Sequence, residues 1–139
     1  MPVVVFDVNV LISSLIVRGK PQELWRRAKS KEFSLVLSEE ILAEFVSVIS
    51  RPKFEKYVTQ AEVELFLNEL QATGTVVHVK SRFKVVVQDP DDDIIVRVAY
   101  DANAQYIVSG DRHLLDLKEI KGIRILTVDE MLKVLRRKQ

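Results

Sequence analysis

The sequence predicts an α/β fold, a three-layer α/β/α sandwich around a mostly parallel central sheet. Two observations favour this class. Short β-branched apolar runs alternate with longer amphipathic segments along most of the chain, as in the strand–helix units that build parallel sheets. The first run, Val3–Phe6, is apolar at every position, which is typical of a central strand buried on both faces. With 139 residues, the chain is expected to form a single domain over residues 1–139.

Capping and helix-breaking residues set the elements of the first half. Ser38 is a suitable N-cap, Pro21 suits the first turn of a helix, and Arg51-Pro52 is expected to end one. After the first strand, the predicted elements are a helix within Val10–Val17, a helix from Pro21 through Ala28, a strand Phe33–Leu37 and a helix Glu39–Ile49.

The second half contains two capping boxes, Thr59–Glu62 and Thr127–Glu130, and each predicts the start of a helix. Gly74 is expected to cap the end of the first of these helices. Between the two boxes the sequence predicts strands Thr75–Val79, Gln105–Ser109 and Ile123–Leu126, a helix from Ile94 to about Asn103, and a short apolar run or connector, Val85–Val87.

Composition excludes several classes of protein. Cysteine is absent, so disulfides and thiolate metal sites are impossible. No apolar run approaches the ~20 residues of a membrane span. Asp7 interrupts the apolar N-terminal stretch and no basic segment precedes it, which argues against a signal peptide. We therefore expect a cytoplasmic protein without a membrane partner.

Carboxylates follow two of the predicted strands. Asp7 comes directly after Val3–Phe6, and Asp111 comes just beyond Gln105–Ser109. A third group, Asp89–Asp93, precedes a helix, whose dipole favours negative charge. In open α/β sheets, ligands bind at the carboxyl ends of the strands. These aspartates therefore mark the expected active edge of the sheet.

Glu44 is a further candidate because of its place on the predicted helix. With ~100° between successive helix residues, it lies roughly 40° from Val48, at the edge of the apolar stripe. Glu39 and Glu40 fall farther round, towards solvent. Converging carboxylates without a cation would repel one another and raise each other's pKa. A divalent cation removes that conflict, and oxygen-only ligands suit Mg²⁺ or Mn²⁺.

Four motifs, in order and on the expected elements, resemble the PIN-domain family, and the chain is most similar to the prokaryotic branch that contains the VapC-like toxins of toxin–antitoxin pairs. The motifs are Val5–Leu11, Leu37–Glu44, Asp89–Ile95 and Tyr106–Asp111. The resemblance implies a PIN-like fold and a ribonuclease dependent on Mg²⁺ or Mn²⁺ that cuts single-stranded RNA as an endonuclease. It also implies a homodimer and an antitoxin that blocks the site.

The resemblance assigns the metal-binding, catalytic quartet to Asp7, Glu44, Asp93 and Asp111. The third position is open, because Asp92 or Asp91 could replace Asp93 or bind a second ion. Asn9 and Ser109 are the implied supporting polar residues. Ser109 stands where the family often has threonine, and it keeps the hydroxyl.

Other interpretations compete with this one. Asp7 could simply cap the helix that follows it. The same fold could be a catalytically inactive module that binds RNA or a protein partner, but no acidic position is missing. A haloacid-dehalogenase-like phosphatase would need a second aspartate where Asn9 stands. A calcium loop would need glycine where Ile94 stands and glutamate where Tyr100 stands.

Basic residues are clustered within 18–31, at Arg51, Lys53 and Lys56, and within 133–138. Each cluster is either a solvated surface or a set of phosphate contacts around the acidic centre. For the last cluster the solvated surface is favoured.

Overall fold

The computed structural model describes residues 1–84 and 90–137, and the predicted run Val85–Val87 lies outside them. The described strands are β1 Val3–Phe6, β2 Ser34–Ser38, β3 Thr75–Val77, β4 Tyr106–Val108, β5 Glu119–Ile120 and β6 Ile123–Leu126. The α-helices are α1 Val8–Ile16, α2 Lys20–Lys29, α3 Glu39–Ile49, α4 Gln60–Thr73, α5 Pro90–Asp101, α6 Arg112–Leu117 and α7 Val128–Arg137. A short 3-10 helix, Pro52–Phe54, follows α3.

The strands form one sheet in the order β3-β2-β1-β4-β6-β5. All neighbours pair in parallel except β5 and β6. Strand β1 is central, and its Val4, Val5 and Phe6 are fully buried. This confirms the mostly parallel sheet with helical layers that the sequence predicts. The chain moves away from β1 in both directions along the sheet, and right-handed crossovers in opposite directions place helices on opposite faces.

The order of the strands reverses direction between β1 and β4. From β1 the chain continues outwards through β2 and β3, and then returns to the other side of β1 to form β4. Phe6 pairs with Val108 in this parallel pair, so the carboxyl ends of both strands lie side by side. A reversal of this kind opens a crevice beyond the strand ends.

The predicted helix caps are present. The hydroxyl of Ser38 accepts a hydrogen bond from the Ile41 N–H at 3.1 Å. Thr59 and Thr127 each exchange the two bonds of a capping box with the glutamate three residues later. These contacts fix the first turns of α3, α4 and α7.

Three elements differ most from the sequence prediction. Helix α5 begins at Pro90 rather than Ile94, because proline and acidic residues both suit a first helical turn. Helix α6 was not predicted, since six residues are too few for a period, and it carries His113. Strand β5 was also missed. It joins β6 through Lys121 and Gly122, whose φ of 51° and 83° suit a two-residue hairpin turn.

An aromatic cluster attaches α4 to the rest of the core. The Phe66 ring centroid lies 5.1 Å from that of Trp25 on α2 and 5.5 Å from that of Phe45 on α3. Trp25 is 5% exposed, so it belongs to the core. Within α4, Phe66 and Leu70 are the buried residues, and the attachment of this helix therefore depends on very few side chains.

No helix in the described part of the chain combines the length and the apolar character required to cross a bilayer.

We expect Phe66→Ala to lower the free energy of unfolding by about 3–5 kcal/mol, because it removes the ring that joins three helices. Leu65→Ala is the matched control on the same helix. Leu65 is 60% exposed, and its truncation should change stability by less than about 0.5 kcal/mol. Urea unfolding measures both variants, and equal losses would contradict this account of α4.

Candidate active site

Asp7 lies at the junction of β1 and α1 and is buried, with 5% of its surface exposed. Its Oδ1 accepts a hydrogen bond from the Val10 N–H at 2.9 Å, which makes it the N-cap of α1. Its own N–H donates to the Val108 carbonyl at 3.0 Å. The capping role considered from the sequence is therefore present. The cap uses one carboxylate oxygen of Asp7, and the same side chain also lines the crevice.

Ser109 links the ends of β1 and β4. Its buried hydroxyl donates a hydrogen bond to Oδ2 of Asp7 and accepts one from the Asp111 N–H at 2.9 Å. Asp111 in turn caps α6, and its Oδ1 accepts from the His113 N–H at 2.8 Å. One chain of hydrogen bonds thus holds the two aspartates that follow adjacent parallel strands.

Burial raises the pKa of Asp7, because removal from water disfavours the charged form. Hydrogen bonds from Ser109 and Val10 act in the opposite direction, and the nearby charge of Asp111 adds to the upward shift. The ionised carboxylate is therefore only partly compensated by the protein's own groups. A cation in the crevice would complete the compensation.

Glu44 reaches the crevice from α3. The Ser38 cap fixes where α3 begins, and Glu44 is half-buried on the side of the helix that meets the crevice. Glu40, one turn earlier, lines the same space. The helical wheel predicts that Glu40 faces solvent. It is exposed, but residues four apart share one helix face, and that spacing was the signal for it.

Asp92 and Asp93 lie in the first turn of α5, and each is 6% exposed. Asp92 is among the residues that line the crevice, whereas Asp93 is not. The two side chains leave the helix about 100° apart, so they face different neighbours. The side chain of Asp91 is outside the described part of the structure.

The crevice is a cavity of about 260 Å³ at the carboxyl ends of β1 and β4. Five of the residues singled out from the sequence line it, namely Asp7, Asn9, Glu44, Asp92 and Asp111. Arg51, Lys53 and Phe54 also line it. The sequence identifies Arg51 and Lys53 as members of a basic cluster, but nothing in their local pattern indicates which surface they reach.

The donor set of the cavity fits a hard divalent cation, because every acidic side chain in it offers oxygen ligands. Within residues 1–84 and 90–137, no group of three acidic or histidine side chains is positioned to hold a metal ion. Mg²⁺ usually keeps several waters and binds one or two protein carboxylates. Asp7 with one neighbouring carboxylate and water is therefore a suitable ligand set.

The raised pKa of Asp7 predicts the pH dependence of stability. The folded state holds the Asp7 proton more tightly than the unfolded chain does. The protonated side chain therefore makes its full contribution to the free energy of unfolding below the unfolded pKa of 3.8, and this contribution is lost as the pH rises through the folded pKa. Asp7→Asn cannot ionise. In EDTA, we expect the wild type to lose stability relative to Asp7→Asn as the pH rises above about 4.

Urea unfolding across the pH range measures this difference. Glu62→Gln is a control of opposite sign, since the hydrogen bond from the Thr59 N–H lowers the pKa of Glu62. Its wild-type contribution is full above the unfolded pKa and is lost as the pH falls. A stability difference between wild type and Asp7→Asn that does not vary with pH would contradict a raised pKa of Asp7 in the folded state.

Known proteins resemble this chain in sequence and in fold. A family model described as the PIN domain matches residues 3–113. An uncharacterized protein of Methanocaldococcus jannaschii is 30% identical over 121 residues, which cover 84% of this chain and 75% of that protein.

Two solved structures share the fold. The first is a chain from the crystal structure of VapBC2 of Rickettsia felis bound to a DNA fragment from the VapBC2 promoter. Its TM-score is 0.62 at 13% identity, and the match covers 90% of this chain and 98% of that chain. The T. brucei RRP44 PIN domain gives 0.52 at 14% identity, with 99% and 83% covered. With the family match over most of its length, the chain belongs to the PIN-domain family.

Proposed function

We propose that this protein is a metal-dependent endonuclease for single-stranded RNA and the toxin of a toxin–antitoxin pair. PIN domains are generally nucleases. One observation carries the proposal: Asp7, Glu44, Asp92 and Asp111, from four separate places in the chain, line a single cavity at the switch point of the sheet.

The proposed mechanism assigns a task to each side chain. Asp7 and Asp111 would hold Mg²⁺ or Mn²⁺, and Ser109 would keep the Asp7 carboxylate turned towards the cavity. A bound divalent ion would offset the carboxylate charge and lower the pKa of the attacking water. Asp92 or Asp93 completes the acidic set, and the cavity lining favours Asp92.

Glu44 is the proposed proton acceptor. It reaches the cavity from α3, and it is half-buried. The attacking water gives a proton to its carboxylate as the water oxygen bonds to phosphorus. The bond from phosphorus to the 3′ oxygen breaks, and that oxygen takes up a proton from solvent water. The products are a 3′-hydroxyl and a 5′-phosphate.

The proposed partners follow from the fold and the family. VapBC2 of R. felis shares the fold, and its structure contains a DNA fragment from the VapBC2 promoter. We extend to this chain an antitoxin that covers the cavity, and a homodimer as the working unit. A ribonuclease with these partners would act in the cytoplasm, where its RNA is made.

A catalytically inactive module that binds RNA or a protein is the second candidate. It is favoured by one observation, the lack in the described residues of three ligands already positioned for an ion. Metal-dependent cleavage separates the two candidates.

Purified protein should cleave labelled single-stranded RNA with Mg²⁺ or Mn²⁺, and EDTA or Asp7→Asn should abolish cleavage. Ser109→Ala should reduce activity by roughly 10–100-fold, because the Asp7 carboxylate loses the donor that orients it. Asp116→Asn, on the exposed face of α6, is the control and should retain activity. Cleavage that survives both EDTA and Asp7→Asn would refute the metal–carboxylate mechanism.

Asp92→Asn and Asp93→Asn form a matched pair, since the residues are adjacent, equally buried and lose the same charge. We expect Asp92→Asn to weaken Mn²⁺ binding at least about tenfold more than Asp93→Asn, because Asp92 lines the cavity. Isothermal titration with Mn²⁺ measures the difference. The reverse order of affinities would assign the third position to Asp93.

A further inference from the structure

Two cations share the acidic cavity. Arg51 and Lys53 are the basic members among the described residues that line it, and both are exposed. They stand at the corner where α3 ends and the 3-10 helix Pro52–Phe54 begins. Positive charge therefore reaches the cavity from the same side as Glu44.

The corner that carries these cations is rigid. The Phe54 N–H donates to the Arg51 carbonyl at 3.0 Å, and the Glu55 N–H donates to the Pro52 carbonyl at 3.1 Å. Pro52 fixes its own φ. The Lys53 ammonium lies 5.1 Å from the centroid of the Phe54 ring, which holds it at the cavity rim. Both cations are presented on an ordered turn, which keeps them in place for a ligand.

Four other basic residues in the described part of the chain form ion pairs with carboxylates. Lys20 and Lys133 pair with Asp129, Arg27 pairs with Glu23 and Glu32, and Lys29 pairs with Glu69. By contrast, no carboxylate in the described part of the chain lies within ion-pair distance of Arg51 or Lys53, although acidic side chains line the same cavity. Their charge is available to an anion that enters the cavity.

We propose that Arg51 and Lys53 bind the backbone phosphates next to the phosphate that is cut, so that the RNA strand enters over the corner between α3 and the 3-10 helix. This inference rests on the proposed nuclease function. A metal ion would offset the repulsion between the cavity carboxylates and the phosphate that is cut, but the neighbouring phosphates of the strand would still be repelled. Cations beside the acidic centre remove that repulsion for the flanking phosphates, and the guanidinium of Arg51 matches a phosphate in a two-point geometry.

The salt dependence of cleavage tests the proposal. Log(kcat/KM) is measured against log[salt] for the wild type and for the Arg51→Gln/Lys53→Gln double variant. For single strands, each lost phosphate contact reduces the slope by about 0.7, so we expect a slope about 1.4 smaller for the double variant. KM should rise at least about tenfold while kcat stays within about twofold, since the two cations act on binding rather than on the reacting atoms.

Two further variants separate contact from net charge and from folding. Arg136→Gln/Arg137→Gln removes the same charge from the far end of α7, roughly 12 Å along the helix from its start at the carboxyl edge of the sheet, and its slope should equal the wild-type slope. Arg51→Lys/Lys53→Arg keeps both charges and should keep the slope. A wild-type slope in the Arg51→Gln/Lys53→Gln variant, or an equal flattening in the α7 variant, would overturn the proposal.

Binding is followed in parallel by fluorescence anisotropy with a labelled single-stranded oligoribonucleotide. If the wild type binds RNA but does not cleave it, the nuclease proposal fails and the same slopes, taken from the binding constant, still decide the role of Arg51 and Lys53. If the wild type neither binds nor cleaves RNA, both proposals fail.

Discussion

The structure depends on a buried carboxylate, that of Asp7, at the end of the central strand. Removal from water makes its ionised form costly, and two donors, the Val10 N–H of α1 and the Ser109 hydroxyl, offset part of that cost by hydrogen bonding to the carboxylate. These bonds join β1, α1 and β4 at one side chain. They hold the strand ends beside each other and leave a charge whose compensation is incomplete. The position that organises the fold is therefore also the one that favours a cation.

Much of this could be predicted because the relevant signals are local. A run of β-branched residues followed by aspartate identifies a strand end. Ser38 predicts the start of α3 by its capping ability alone, whatever surface that helix packs against. Helical periodicity brought Glu44 to the edge of an apolar stripe. The parallel order of the strands then required Asp7 and Asp111 to approach each other, since the carboxyl ends of parallel strands share one edge of the sheet.

The remainder depends on what packs against each element, which periodicity does not encode. The helical wheel gives the direction of Glu40 around the axis of α3. It does not show that a cavity lies on that side of the helix. Asp92 and Asp93 differ by one residue, so the choice between them depends on the helix starting at Pro90. Arg51 and Lys53 reach the cavity only because the chain folds back in a 3-10 turn. Their tract was visible in the sequence, but its destination was not.

The bond between Ser109 and Asp7 joins residues 102 positions apart in the chain. During synthesis, β4 and the second aspartate are therefore made long after β1. The carboxylates cannot be assembled by a nascent chain that lacks them. The proposed nuclease would therefore stay inactive in a nascent chain until the segment that carries Ser109 and Asp111 has been made and has folded against β1.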